Sequence, residues 1–124
     1  MASSSSDPND RGEHPAGVIT NLPTAFEELL VEASGAKAQR AARSLVAGPQ
    51  TPLKQTLLAL ISGTSLQEHD APTVATLQIL HGRVRLVAGA TEVELANGDH
   101  TVIPAQRHHL DALEDAVVLL SVVA

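Results

Sequence analysis

The fold of this chain is decided by residues 75–104, which read ATLQILHGRVRLVAGATEVELANGDHTVIP. Short runs of valine, leucine, isoleucine and threonine alternate there with glycine, asparagine and aspartate, without a sustained helical period. Aliphatic runs broken about every ten residues by turn formers predict the short strands of a sandwich or barrel. The same pattern continues on both sides and predicts strands at Arg43–Ala47, Lys54–Ser62, Leu66–His69, Ala75–His81, Arg83–Val87, Thr91–Leu95, His100–Ile103, His108–Ala112 and Ala116–Val123.

One hairpin in this stretch can be predicted to its register. If Ala88 and Gly89 form a two-residue loop, Arg85 lies opposite Glu92 on the outer face. Because alanine tolerates positive φ poorly, a longer loop or a type II turn is the alternative. The predicted register also pairs Val84 with Val93 and Arg83 with Glu94, and it directs Val84, Leu86, Val93 and Leu95 inward.

The residues before the strands form a polar segment and a helix. Residues 1–17 are rich in serine, aspartate, proline and glycine, and we expect a disordered leader. Thr24–Ala33 is predicted to be an amphipathic helix that begins with a capping box of Thr24 and Glu27 and stops at Gly35. Its apolar stripe comprises Phe26, Leu29, Leu30 and Ala33.

We expect that stripe to cover an open side of the β-structure, with a partner-binding helix as the alternative. The predicted organisation is a leader at 1–17, a helix and edge strand at 18–52, and a barrel at 53–124.

Composition excludes several classes of function. The 124 residues suffice for one core, and the formal net charge is −6 with only 8 lysines and arginines, so no basic surface for nucleic acid is expected. Cysteine is absent, which excludes disulfides, thiolate nucleophiles and cysteine-ligated zinc. The longest apolar run, Ala116–Ala124, is too short to cross a bilayer, so we expect no membrane contact and a cytoplasmic location.

Glycine, histidine and proline residues recur in two groups along the strands. Gly63 and His69 begin the first group, which runs to Gly82, and the second comprises Gly98, Pro104, His108 and His109. These two groups resemble the signature motifs of the cupin superfamily. In that family the first motif supplies two histidines and a glutamate to one metal, and the second supplies another histidine. The likeness covers roughly Leu53 to Val123 and is greatest to small single-domain cupins, many of them uncharacterised bacterial proteins.

The resemblance implies an all-β fold, a cupin-type jelly-roll (double-stranded β-helix) barrel with one short N-terminal α-helix. Such barrels commonly pair through edge strands, so we expect a homodimer in which Arg43–Ala47 is a candidate for exchange between protomers. Fold alone does not assign an activity, because this family spans many chemistries.

The metal-binding pattern of the family is incomplete in this chain. Ala71 and Ala75 stand where the resemblance expects the second histidine and the glutamate, which leaves His69 and one histidine of the second motif. No cofactor is expected on this basis. The alternative is a divalent metal (iron, manganese, nickel or zinc) held by His69 and His108, with Asp70, Glu68 or water completing its ligands.

The choice between His108 and His109 depends on the reasoning used. Counting from Pro104 by the family spacing selects His109. Strand alternation selects His108, since His109 facing inward would bury Asp111 on the same face. We favour His108 and keep His109 as the alternative.

The favoured function is a non-catalytic module that binds a small molecule or serves a structural role. Its ligand-binding residues would be His69 and His108 as polar anchors, with Leu77 and Ile79 lining a largely apolar cavity. The alternative is a metal-dependent enzyme of the dioxygenase or isomerase type that uses His69 and His108. The sequence assigns no catalytic residues, and we favour a protein that is not an enzyme.

Overall fold

A computed structural model describes residues 19–69 and 74–123 of the chain. Within these residues one helix is followed by β-strands that lie close to their predicted positions, so the all-β class with one N-terminal helix is confirmed. The predicted leader at 1–17 lies outside the described residues. The elements are α1 Leu22–Gly35, β1 Arg40–Val46, β2 Leu53–Leu60, β3 Ser65–His69, β4 Val74–His81, β5 Arg83–Ala88, β6 Thr91–Ala96, β7 His100–Val102, β8 His108–Ala112 and β9 Ala116–Val123.

The strands form two antiparallel sheets that face each other. One sheet has the order β1-β2-β9-β4-β7 and the other has the order β3-β8-β5-β6. The sheets are not joined edge to edge into a closed barrel, which is the double-sheet form of a jelly roll. Chain neighbours β4 and β5 belong to different sheets, and Gly82 with a φ of 83° makes the bend between them.

The main core fills the space between the sheets. Ile79, Val84 and Val118 have no exposed side-chain surface there. Since the inward residues of each strand alternate with outward ones, both sheets contribute every second residue to this core. The buried members are Leu60, Ala75, Leu77, Ile79, Val84, Leu86, Leu95, Ile103, Leu110, Ala112, Ala116 and Val118.

A second core lies between α1 and the outer face of the five-stranded sheet. Ala25, Leu29 and Ala33 of the helix pack there against Leu57 and Val117. The predicted stripe therefore covers a sheet face within the same chain. Beside this core the Phe26 ring stacks on His81, with ring centroids 5.5 Å apart.

The helix begins at Leu22, two residues before its predicted start. Asn21 is the N-cap, and its side-chain oxygen accepts a hydrogen bond from the Thr24 backbone N–H at 2.9 Å. The predicted capping box is therefore wrong. In it the Thr24 N–H would donate to the Glu27 side chain, but this N–H already donates to Asn21. The helix ends at Gly35, as predicted, and the side-chain amide of Gln39 donates to the carbonyls of Ser34, in the last turn, and Ala36, just after it.

The hairpin of β5 and β6 differs from its predicted register by two residues. Its loop is Gly89 and Ala90, so Arg85 lies opposite Glu94 rather than Glu92. Gly89 takes the positive φ, 60°, at the first loop position, which suits a type II′ turn. A shift of two residues keeps every side chain on its predicted face. The predicted ion pairs form as diagonal contacts, Arg83–Glu94 at 3.2 Å and Arg85–Glu92 at 3.6 Å.

Val93 was predicted to point inward with the core residues, but its side chain is not buried. Val93 is 41% exposed near the loop end of β6, whereas Leu95 is 7% exposed. The β6 strand is an edge of its sheet.

Candidate functional site

His108 lies between the two sheets at the start of β8. Buried and half-buried residues alternate along this strand, and His108, Leu110 and Ala112 form its buried face. His108 is 4% exposed and is the buried polar residue of the described chain. The orientation that alternation predicted for His108 is the one observed.

A hydrogen bond fixes the ring of His108. Its Nδ1 lies 2.9 Å from the Gln106 carbonyl oxygen, and a carbonyl can only accept, so Nδ1 carries the hydrogen. In the neutral ring Nε2 is then the acceptor nitrogen. A ligand group that bonds to this nitrogen must therefore donate a hydrogen.

A cavity of about 40 Å³ adjoins His108. A single water needs about 10–15 Å³ on the same measure, so the space corresponds to about three waters. Leu77 is among the residues that line the cavity, whereas Ile79 lies in the packed core and is not among them. The lining residues are Leu58, Leu66, Leu77, Leu86, Ile103, His108, Leu110 and Leu120.

His69 is brought next to His108 by the strand pairing. The backbone of His69 in β3 lies opposite that of His108 in β8, after a register shift that begins at Leu66. The structure describes His69 only through its backbone. Asp70 and Ala71, which the sequence analysis also considered, lie outside the described residues.

The described residues do not fit the ligand set that the family motifs imply. Among residues 19–67 and 74–123, whose side chains the structure describes, no group of three or more histidine, cysteine, aspartate or glutamate side chains is placed to hold a metal. Ala75, at the position of the expected glutamate, is 3% exposed and offers no donor atom. A transition ion held by imidazole normally needs further nitrogen, oxygen or sulfur ligands. The described side chains that line the cavity with His108 are aliphatic.

His109 belongs to the outer face of the four-stranded sheet. Its Nε2 lies 3.5 Å from Asp111 Oδ2, and Asp111 Oδ1 accepts a 2.6 Å hydrogen bond from Ser65 Oγ. The Arg85 guanidinium is 3.9 Å from the same carboxylate. Sequence reasoning did not predict this polar cluster, because its members come from three strands whose order the sequence does not give.

Two larger concavities lie on the surface, away from His108. One groove of about 540 Å³ lies between α1 and β1, and one cleft of about 380 Å³ adjoins Ser65, His109 and Asp111. We take the smaller interior cavity as the candidate site because it holds a buried histidine among apolar walls, as ligand sites do. In the part of the chain that the structure describes, no helix has the length and hydrophobicity needed to traverse a bilayer.

No family model matches the chain. No curated protein matches it either. Solved structures do match, and one is a conserved protein of unknown function from Streptococcus pyogenes. It is 30% identical, with a TM-score of 0.64, over 71% of this chain and 76% of that chain.

Two further structures carry the name of the fold. A cupin 2 conserved barrel domain protein from Leptotrichia buccalis is 26% identical over 72% of this chain and 43% of that chain, with a TM-score of 0.62. A cupin-2 domain containing protein from Shewanella frigidimarina is 15% identical over 86% of this chain and 95% of that chain, with a TM-score of 0.65. The two facing sheets with a histidine between them thus define a cupin fold. The chain therefore has the fold of a small cupin domain.

Proposed function

We propose that this chain is a non-catalytic cupin module that binds a very small, mainly apolar molecule beside His108. The cavity carries the proposal, since the described residues that line it are seven aliphatic side chains and one histidine. The apolar walls favour a hydrocarbon part in the ligand, and the imidazole of His108 favours one polar group beside it.

The volume limits the size of this ligand. Sites for drug-sized molecules measure about 300–1,000 Å³, whereas this cavity measures about 40 Å³. At about 10–15 Å³ for each water-sized unit, the space admits about three or four non-hydrogen atoms. A larger ligand would have to displace leucine side chains of both sheets.

Short primary alcohols, from methanol to butanol, are the probes that test this proposal. They combine one donor group with an apolar chain of increasing length. We expect saturable binding by the wild-type protein, measured through chemical-shift changes of the leucine methyl groups, with affinity falling off at the longest chain. His108→Leu should weaken binding at least tenfold, because it replaces the polar imidazole of the described lining with an aliphatic side chain.

The chain supplies a matched control in the neighbouring residue. His109→Leu changes the same side chain on the outer face of the sheet, where the ring lies beside Asp111. It should leave alcohol binding unchanged. Equal effects of the two substitutions, or no saturable binding at all, would reject the ligand-binding function in favour of a purely structural module.

The alternative is a metal-dependent enzyme that uses His69 and His108. The observation in its favour is the backbone pairing of these two residues on adjacent strands. Metal analysis of protein purified without a histidine tag separates the two functions. Stoichiometric iron, manganese, nickel or zinc that is lost in His69→Ala would overturn the binding module. A cytoplasmic location remains a prediction.

A further inference from the structure

The outer face of the four-stranded sheet carries a row of polar side chains that crosses three neighbouring strands. Asp111 of β8 lies opposite Ser65 of β3 on one side and opposite Arg85 of β5 on the other. His109 lies two residues before Asp111 in β8 and therefore points to the same face. His108 points to the opposite face, between the sheets. The row is thus separate from the interior cavity.

A β-bulge in β3 lies beside this row. The register shifts between Leu66 and His69, so that two residues of β3 lie opposite the single residue His109 of β8. Such bulges bend a strand, redirect a side chain and are frequent beside functional sites. The bulge residue Gln67 borders a cleft of about 380 Å³, which we call the outer cleft. The described residues that line it are Ser65, Leu66, Gln67, His109 and Asp111.

The carboxylate of Asp111 is held by a hydrogen bond at one of its two oxygens. Its Oδ1 accepts from Ser65 Oγ at 2.6 Å, which fixes the orientation of the group. Its Oδ2 lies 3.5 Å from His109 Nε2 and 3.9 Å from an Arg85 guanidinium nitrogen. Ordinary N–H···O hydrogen bonds measure about 2.7–3.2 Å, so both of these contacts are too long. Within the described part of the chain, Oδ2 therefore keeps the capacity to accept from a ligand.

A hydroxyl is the chemical group that suits the space between these side chains. The carboxylate of Asp111 can only accept a hydrogen bond and the guanidinium of Arg85 can only donate, so a group between them must do both. A hydroxyl donates its hydrogen to the carboxylate, and its oxygen accepts from the guanidinium. Polar groups more than about 3.5 Å apart are the ones that a bridging oxygen can connect.

The charges and the volume of the outer cleft favour an uncharged ligand of moderate size. Asp111 would repel an anion and Arg85 would repel a cation. Glu92 lies 3.6 Å from Arg85 on the same face, so the positive charge is already balanced. The volume of about 380 Å³ lies within the range of small-molecule sites, about 300–1,000 Å³. Leu66 offers an apolar contact for a carbon chain.

We propose that the outer cleft binds a neutral polyhydroxy compound through two adjacent hydroxyl groups. One hydroxyl lies between Asp111 Oδ2 and the Arg85 guanidinium, and its neighbour reaches the His109 ring. The hydroxyls must be adjacent, because Arg85 and His109 both lie within 3.9 Å of the same carboxylate oxygen. Ser65 holds the carboxylate in position for them. This site is independent of any molecule beside His108, since the two sites lie on opposite faces of β8.

Erythritol and 1,4-butanediol are a matched pair of probes. Both have a chain of four carbons, and only erythritol has adjacent hydroxyls. Titration of the full chain is followed through the backbone amide chemical shifts of β3 and β8. We expect saturable shifts with erythritol and at least tenfold weaker binding of 1,4-butanediol. Equal binding of the two probes, or no saturable shift with erythritol, would overturn the proposal.

Two substitutions make the same change from carboxylate to amide on this face of the sheet. Asp111→Asn should weaken erythritol binding at least tenfold, because it removes the charged acceptor. Glu92→Gln should leave the binding unchanged, since Glu92 is not among the described lining residues. Circular dichroism checks that both variants keep the fold. Equal effects of the two substitutions would contradict the proposal.

His109→Leu separates the outer cleft from the interior cavity, and it also serves if Asp111→Asn does not fold. It should weaken erythritol binding about fivefold, because it removes one neutral hydrogen-bonding group, and it should leave the binding of short alcohols unchanged. His108→Leu should have the opposite pattern. Erythritol binding that is lost in His108→Leu and kept in His109→Leu would place the compound in the interior cavity, and this proposal would then be wrong whether or not alcohols bind there.

Discussion

The bend at Gly82 is where the structure predicts the largest effect of a single added methyl group. Gly82 joins β4 of one sheet to β5 of the other, with a φ of 83°. A Cβ built on this residue would lie 2.2 Å from the Asp115 carbonyl oxygen and 2.9 Å from the Ala116 Cα. Both are backbone atoms, so no side chain can rotate away. The two sheets must shift instead.

The cost of Gly82→Ala has two parts. The left-handed backbone costs an alanine about 1–2 kcal/mol. The contact adds about 1–3 kcal/mol, by analogy with overpacked cores. Domains of this size are stable by about 5–15 kcal/mol, so a loss of about 2–5 kcal/mol is a large fraction of the total.

Gly98→Ala is the matched control for the first part. Gly98 has a φ of 94°, and nothing lies within 4 Å of its added Cβ. It should lose only the backbone cost, about 1–2 kcal/mol. The difference between the two variants therefore measures the contact with Asp115 and Ala116.

Urea denaturation followed by far-ultraviolet circular dichroism is the suitable assay, because the chain has no tryptophan or tyrosine for fluorescence. The midpoints should differ while the slopes agree, which indicates a change in stability alone. Equal midpoints for Gly82→Ala and Gly98→Ala would show that the close approach of the backbone at Gly82 does not constrain the fold.

Two more substitutions test the helix start and the outer sheet face. Asn21→Ala should lower the free energy of unfolding by about 0.5–2 kcal/mol, measured by thermal denaturation, because it removes the N-cap. Thr24→Ala should change it by less than about 0.5 kcal/mol. A larger loss for Thr24→Ala than for Asn21→Ala would support the capping box instead. Arg83 pairs with two exposed glutamates at 3.2 and 3.5 Å, so Arg83→Ala should cost at most about 1 kcal/mol and less in 1 M salt. A cost that salt leaves unchanged would contradict an ion-pair origin.

The strand positions could be predicted because turn formers separate them so regularly. Their exact pairing could not always be predicted, as the β5–β6 hairpin shows. Gly89 was correctly placed in the loop, but it can occupy either the second loop position, after Ala88, or the first, before Ala90. The charge pattern does not distinguish these positions, since both registers put the same charges outward. The poor tolerance of alanine for positive φ is the signal that favours glycine at the first position.

The inward faces of β2 and β9 could not be predicted for a different reason. Leu57 and Leu58 are neighbours in β2, yet Leu57 packs under the helix and Leu58 packs between the sheets. Since α1 covers the outer face, both faces of these strands are apolar, and the period of two disappears from the sequence. Only the tertiary position of the helix tells the two faces apart.

The orientation of His108 was predictable because β8 retains that period. Leu110 and Ala112 share a face with His108, and Asp111 lies on the other face. Only one orientation of the strand therefore buries the apolar side chains and leaves Asp111 outside. The size of the cavity was not predictable. Its leucines come from strands far apart in the sequence, and the gap between them depends on packing that no local pattern records.

The size of the cavity also limits how tightly any ligand can bind there. The best very small ligands gain about 1.5 kcal/mol for each non-hydrogen atom. A molecule of four such atoms, such as 1-propanol, therefore gains at most about 6 kcal/mol, which corresponds to a dissociation constant on the order of tens of micromolar. Because the described walls are aliphatic apart from His108, most ligands should bind more weakly than this. A nanomolar complex with a small alcohol would mean that the leucines around His108 open a much larger space than about 40 Å³.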